Sequence, residues 1–145
     1  MSSDQVDAAA RRIREECFAS PLRALLRTVN AIYDDALRPL ELTIGQLNLL
    51  VAIAELGEDA TAVRIARGLA IEKSTLSRDL ARIEARELVR RNEVGRTKSL
   101  QLTARGRRKL EAALPAWERA QARALLELPG LAGIASATRT DARRR

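Results

Sequence analysis

The sequence predicts a mainly α-helical protein with one small β-hairpin. Apolar residues recur at helical spacing over most of the 145 residues. Two short helical patterns, at 62–69 and 73–86, are separated only by Ala70 and Ile71. Apolar and polar residues then alternate at 88–91 and 100–102, which is typical of short strands. This order of helix, tight turn, helix and hairpin is that of a winged helix-turn-helix.

The first 40 residues predict long helices with a continuous apolar stripe. A helix is expected over 6–19, and Ser20 with Pro21 would either cap a fresh helix or kink a continuous one. The stripe continues over 22–37, and Pro39 ends it. Because this stripe is long and leucine-rich for a small protein, we expect part of it to meet another chain.

Three threonines mark further helix starts. Thr43 with Gln46 matches a capping box and opens a helix that stops near Gly57. Thr61 and Thr103 are expected to cap the next helices, of which the second covers 107–128 with an interruption at proline 115. The tail to residue 145 would form a short helix or fray.

Charge is distributed unevenly along the chain. Residues 1–72 carry 8 Lys/Arg and 11 Asp/Glu, whereas residues 73–145 carry 18 and 8. The densest part, 90–109, has eight basic residues and one acid, Glu93. Such asymmetry indicates either a polyanionic partner or an ordinary solvated cationic face, and composition alone does not separate the two.

The residue inventory argues against several classes of protein. Histidine is absent and there is a single cysteine, so neither a zinc site nor the usual general base is expected, and no cofactor is expected either. No Gly-rich phosphate loop or nucleophile elbow is present. We therefore do not expect an enzyme. Without a long apolar run or a secretory signal at the N-terminus, we expect no membrane association and a cytoplasmic location.

The second helix of the motif has the side chains of a DNA-reading element. Ser74, Thr75 and Ser77 can donate to or accept from base edges or phosphates, and Arg78 can bind guanine through two donors. Arg82, one turn on, is expected to contact phosphate. The alternative is that the hydroxyls only cap the helix and that the arginines pair with neighbouring acids.

The hairpin supplies further cations. Arg91, Arg96 and Lys98 would flank a groove of the duplex, where arginine senses the width of a narrow minor groove. Gly95 would lie at the hairpin tip, where a positive φ is often needed.

The pattern resembles the MarR family of bacterial winged-helix regulators over roughly 22–128. The residues that carry the resemblance are 40–47 (LELTIGQL), 73–78 (KSTLSR), 87–91 (ELVRR), Arg96 and 100–106 (LQLTARG). The last two are the most specific, because the family places a wing-tip arginine at a fixed distance from Leu-Thr-x-x-Gly.

The resemblance implies a homodimer whose terminal helices interlock and whose two winged modules bind a pseudo-palindromic operator in double-stranded DNA. It divides the chain into N-terminal dimerisation helices (1–40), a DNA-binding module (41–103) and a C-terminal dimerisation helix with a basic tail (104–145). The chain departs from the family pattern in three ways. Val94 stands where the family usually has Asp, the wing is a few residues short, and the C-terminal helix is poor in leucine.

Three singular side chains are candidates for regulation. The family implies release from DNA by a small ligand or by cysteine oxidation. Cys17 is placed in the first helix, either as an oxidation sensor or as a small core residue. Tyr33 and Trp117 would either line an effector pocket or serve as packing or dimer contacts.

These observations favour a dimeric, sequence-specific transcription regulator, and we expect a repressor. Two alternatives stay open. A sequence-neutral architectural DNA binder would show the same basic surface with little discrimination between sequences. A winged-helix protein-interaction module would bind no DNA, and such modules usually lose the cationic wing that this sequence keeps.

Overall fold

The computed structural model describes residues 3–94 and 97–142, and their side chains over 3–93 and 98–136. The helices are α1 (Ser3–Glu16), α2 (Ala19–Leu37), α3 (Ile44–Leu56), α4 (Ala62–Leu69), α5 (Lys73–Ala85), α6 (Ala104–Glu127) and α7 (Leu131–Ala142). The strands are β1 (Val89–Val94) and β2 (Thr97–Leu102), which form one antiparallel hairpin. The predicted fold class, mainly α with a small hairpin, is confirmed.

The chain separates into two compact units, Met1–Ala31 and Ile32–Arg145. The first contains α1 and most of α2. No residue of α1 is buried, and Phe18 is 81% exposed. The break between the helices falls at residues 17–18, so a fresh helix begins at Ala19 and Pro21 lies in its first turn. Cys17 therefore follows α1, which corrects its expected place inside the first helix.

Exposed apolar side chains mark this first unit. They are Val6, Ile13, Phe18, Leu22 and Leu26. Several large exposed apolar side chains on short helices are typical of an interaction surface.

The second unit has an aliphatic core. Its largest fully buried side chains are Leu37, Leu49, Leu50, Ile53, Ile65, Ile83 and Leu88. Helix α6 contributes a buried face made only of small residues, and these are Gly106, Ala113, Ala116, Ala120 and Ala124. Tyr33 is also buried, and its hydroxyl donates a hydrogen bond to Oε1 of Gln121 on α6. Burial raises the pKa of the Tyr33 hydroxyl, because desolvation disfavours the phenolate.

Helix α3 begins at a well-satisfied N-terminus. The hydroxyl of Thr43 accepts from the backbone N–H of Gln46 at 3.2 Å, and the Gln46 side chain accepts from the N–H of Thr43 at 3.3 Å. The predicted capping box is thus confirmed. Oδ1 of Asp34 accepts from the N–H of Ile44 at 2.7 Å, which ties the end of α2 to the start of α3.

The hairpin is longer than the alternation alone predicted. Its strands reach Val94 and start at Thr97, so each extends beyond the alternating stretches at 88–91 and 100–102. Helix α6 likewise begins three residues earlier than expected, at Ala104, because the predicted cap, Thr103, accepts a hydrogen bond from the N–H of Gly106 at 3.0 Å.

Within the described residues no single helix is long and apolar enough to cross a membrane, although one bent pair, Ala19–Leu40 with Ile44–Asp59, passes on length and composition alone.

Candidate nucleic-acid interface

The turn between α4 and α5 sets the direction of the second helix. Ala70 adopts a left-handed conformation, with φ 52° and ψ 43°, and its N–H bonds to carbonyls of the last turn of α4. Leu76, Leu80 and Ile83 bury one face of α5. The polar face of α5 is consequently held towards solvent by packing on the opposite side.

The predicted reading residues lie on that polar face. Ser74, Ser77, Arg78 and Arg82 are exposed, and Thr75 is half-buried. Glu72 is the N-cap of α5 and makes no capping hydrogen bond through its side chain. The three hydroxyls form no hydrogen bond with any described residue. They therefore do not cap α5, which was the alternative role for them.

The two arginines of α5 differ in their surroundings. Among the described residues, Arg78 hydrogen-bonds to the carbonyl of Ser74 alone, with 3.4 Å between Nε and the oxygen. Arg82 lies 3.6 Å from Oδ1 of Asp79, a loose ion pair within the same helix. The Arg82 side chain is 65% exposed, and a pair of this length holds a solvated guanidinium only weakly, so both guanidinium groups are available to a ligand.

The hairpin places its cations beside α5. Arg91 forms a close ion pair with Glu84 of α5, and Lys98 lies 3.5 Å from Glu93 across the hairpin. Arg90 donates to Gln101 on the opposite face. Arg96 lies outside the described residues, as does Gly95.

Two further exposed cations belong to the helix-turn-helix and were not predicted as site residues. Arg67 of α4 and Lys73, the first residue of α5, are exposed and form no ion pair or side-chain hydrogen bond with the described residues. Arg64, by contrast, is paired with Asp59 at 2.7 Å. The position of Lys73 directly before the serine–threonine run was the signal in the sequence that could have identified it.

A separate groove lies between α3 and α6. It has a volume of about 360 Å³ and is lined by Leu47, Asn48, Val51, Leu110, Glu111, Ala113, Leu114 and Trp117. Trp117 is 37% exposed at its edge, whereas Tyr33 is not among the lining residues. The structure therefore separates these two candidates, one in a groove and the other in the core.

Cys17 is half-buried and free. The acids beside it are already paired, because Arg12 contacts Glu16 at 3.1 Å and Arg14 contacts Glu15 at 3.6 Å. Over residues 3–94 and 97–142 no group of three or more Cys, Asp or Glu side chains is placed to hold a metal ion.

Comparison with known proteins agrees with this geometry. The sequence model of the MarR family matches residues 40–98, a range that runs from before α3 to the start of β2. The crystal structure of the transcriptional regulator MosR of Mycobacterium tuberculosis is 31% identical, with 90% of this chain and 98% of that chain covered and a TM-score of 0.72.

Two further solved structures show the same fold. MosR in complex with DNA is 30% identical, with 86% and 98% of the two chains covered and a TM-score of 0.69. A MarR family protein of M. tuberculosis in complex with salicylic acid is 23% identical, with 85% and 94% covered and a TM-score of 0.64. By its similarity to MosR over nearly the whole length of both chains, and by the family match to its winged module, the chain belongs to the MarR family, whose members are transcription regulators and not enzymes.

Proposed function

We propose that the protein is a homodimeric, sequence-specific repressor that binds a pseudo-palindromic operator in double-stranded DNA. One observation carries the proposal: α5 presents the exposed hydroxyls of Ser74 and Ser77, the half-buried hydroxyl of Thr75 and the guanidinium of Arg78 on its polar face, beside a cationic hairpin. Hydroxyls and arginine at the N-terminal half of a recognition helix are the groups that read base edges in the major groove. The related MosR has been solved bound to DNA, which supports the same activity here.

A sequence-specific repressor differs from an architectural DNA binder in how strongly it prefers its own site over random DNA. Selection from a random duplex library, followed by competition against random DNA, should give a defined half-site and a specificity ratio of about 10³ or more. A ratio of about 10 or less would favour the architectural alternative. A protein that bound no duplex at low salt would instead support the protein-interaction module.

A second copy of the chain would cover the exposed apolar residues of α1 and α2. Burying side chains such as Phe18 and Leu26 is favourable by about 25 cal/mol for each Å² of apolar surface. Two recognition helices on successive turns of DNA require half-site centres about 10 bp apart, or ~34 Å. Sedimentation at micromolar concentration tests the dimer, and a strictly monomeric chain would contradict it. The division into segments 1–40, 41–103 and 104–145 is part of this proposal.

We further propose that a small ligand in the α3–α6 groove releases the protein from DNA. The groove has the size and the apolar lining of a small-molecule site. Among the described residues, no Lys or Arg lines it and the carboxylate of Glu111 has no partner. Pro115 has no N–H, so the carbonyl of Glu111 lacks its usual intrahelical donor.

The Glu111 carboxylate favours a ligand that carries positive charge or hydrogen-bond donors on an apolar body. Trp117 can add a cation–π contact to such a ligand. A carboxylic acid, such as the salicylic acid bound by the M. tuberculosis relative, would face Glu111 without a compensating cation. The expected effector is therefore an apolar amine or a neutral donor.

Oxidation of Cys17 has less support as a release mechanism. The thiol is half-buried, and the nearest arginines in sequence, Arg12 and Arg14, are committed to ion pairs with acids. Operator affinity of the native protein and of Cys17→Ser should respond equally to cumene hydroperoxide. A loss of affinity confined to the native protein would establish the oxidation mechanism instead.

A further inference from the structure

The ion pair between Glu84 and Arg91 joins the recognition helix to the hairpin. Nε of Arg91 lies 2.7 Å from Oε1 of Glu84, and Nη2 lies 3.1 Å from Oε2. Both carboxylate oxygens are therefore used by one guanidinium, which is the strong, directional form of this interaction. The Glu84 side chain is 24% exposed and that of Arg91 52%.

The register of the hairpin shows which way Arg91 points. Arg91 pairs with Leu100, and Val89 pairs with Leu102. Directly paired residues of an antiparallel ladder share one face of the sheet, as do alternate residues of a strand. Arg91 is thus on the same face as Val89, Leu100 and Leu102, and these three are buried. This is the inner face of the hairpin, which the core covers around these three residues, whereas Glu93 and Lys98 continue the same face towards the tip and are exposed.

Glu84 has the complementary position on α5. It lies seven residues after Ser77, which is two helical turns along the same face. The carboxylate is consequently at the end of the row of residues proposed to meet DNA. An acid there would repel phosphate if it were free, whereas an acid bound to Arg91 leaves the site near neutral.

From these contacts we infer that Arg91 is a positioning residue and does not contact phosphate. Its guanidinium locks Glu84 and fixes the hairpin against α5, so that Lys98 and the rest of the wing reach the duplex at the same time as Arg78. This inference rests on the proposed DNA binding and assigns Arg91 a different role from the one that the sequence suggested.

Salt dependence distinguishes a positioning residue from a phosphate contact. Each phosphate contact that is lost lowers the slope of log affinity against log salt by about 0.9. The Arg91→Ala protein should bind operator about tenfold more weakly, the size expected for a coupled charge pair, with an unchanged slope. Lys98→Ala should show the opposite behaviour, with a lower slope. A slope reduced by about 0.9 for each subunit in Arg91→Ala would overturn the inference.

Variants of the acid give a test of opposite sign. Glu84→Gln should weaken operator binding, because the pair that orients the wing is lost. If Arg91 instead contacted phosphate, removing the acid would strengthen binding. Glu93→Gln is the matched control, since it removes an acid from the same hairpin face without touching the Glu84 pair, and it should strengthen binding slightly.

The exchanged pair guards against simple misfolding. E84R/R91E keeps the total charge and restores an ion pair. The change in log operator affinity that Arg91→Ala causes should therefore be at least halved in this variant. If E84R/R91E unfolds at the same temperature as the native protein but does not regain operator affinity, the inference is contradicted. Native protein that bound no duplex at all would contradict the proposed function itself, which is a different result from a changed slope in the variant.

Discussion

Gly106, in the first turn of α6, lies against the carbonyl of Leu88 so closely that a β-carbon on it would be 2.0 Å from that oxygen. The neighbouring Thr103 hydroxyl bonds the same segment, because it donates to the carbonyls of Glu87 at 2.6 Å and Leu88 at 3.2 Å. The start of α6 is thereby joined to the start of β1. This contact gives a physical reason for a glycine three residues after the threonine.

The Gly106→Ala protein should be strongly destabilised, because the clash is with backbone that cannot rotate away. We expect a loss of more than about 2 kcal/mol in the free energy of unfolding, measured in urea. Gly68→Ala is the matched control, since Gly68 also lies in a helix but has nothing within 4 Å of an added β-carbon. That control should be neutral or gain up to about 1 kcal/mol.

The Ala70→Gly protein should be more stable than the native one. Ala70 ends α4 in the left-handed region, which costs a residue with a β-carbon roughly 1–2 kcal/mol. Glycine removes this strain but gains freedom in the unfolded chain, so a net increase of about 0.5–1 kcal/mol is expected. Thermal unfolding measures it, and a decrease would show that the turn has no strain to release.

Arg78→Ala and Arg96→Ala should affect DNA binding differently. Arg78 is proposed to bind guanine, so its loss should change the preferred bases and cost ~1–3 kcal/mol at that position. Arg96→Ala should weaken binding to all sequences and flatten the salt dependence. Library selection with each variant measures both effects. Equal losses with unchanged sequence preference would contradict this division.

Trp117 is the only tryptophan in the sequence and lines the proposed effector groove, so its fluorescence reports binding there. Benzylamine should change the emission and release operator DNA at lower concentration than salicylate does. Glu111→Lys should reverse that order, because the charge in the groove is inverted. Glu118→Gln, an acid of α6 outside the groove, should leave the order as in the native protein. Salicylate binding more tightly than benzylamine in the native protein would exclude the proposed ligand class.

Tyr33→Phe should lower stability by about 0.5–1.5 kcal/mol near neutral pH, because the hydrogen bond to Gln121 is lost, and should also change the alkaline pH dependence. Burial raises the pKa of Tyr33 in the folded state above the ordinary value of about 10. The stabilisation is therefore complete below about pH 10 and is lost as the pH rises through the folded-state pKa, since the unfolded chain ionises first. The part of the alkaline decrease in the free energy of unfolding that is due to Tyr33 should be absent in Tyr33→Phe. Urea unfolding measured between pH 9 and 11 tests this. An identical alkaline decline in both proteins would show that Tyr33 contributes nothing to it.

Most of the fold could be predicted because local signals and packing agree. The capping box at Thr43, the cap at Thr103 and the apolar spacing of α5 are all local in sequence, and all are found in the structure. Strand lengths were less predictable, since residues 92–94 and 97–99 pair through backbone hydrogen bonds that their mostly polar side chains do not signal. The pairing of Glu84 with Arg91 was also missed, because it depends on how the hairpin folds back on α5.

The side chains proposed to meet DNA were predictable as a set but not in their individual states. Sequence spacing places Ser77 and Arg78 on the polar face of α5, and the structure has both exposed. Spacing could not show which cations are free, because Arg82 and Arg91 have acidic neighbours at different distances. Tyr33 lies in the core and Trp117 in a groove because of tertiary packing, which the sequence around either residue does not show.

The buried face of α6 has a consequence for how the protein tolerates change. Ala120 and Ala124 are 1% exposed and do not line the α3–α6 groove, so every atom added to them must displace a neighbour. Exchanges that count as mild by chemical similarity, such as alanine to valine, are therefore severe along this helix. These buried alanines of α6 are therefore among the side chains that tolerate enlargement least.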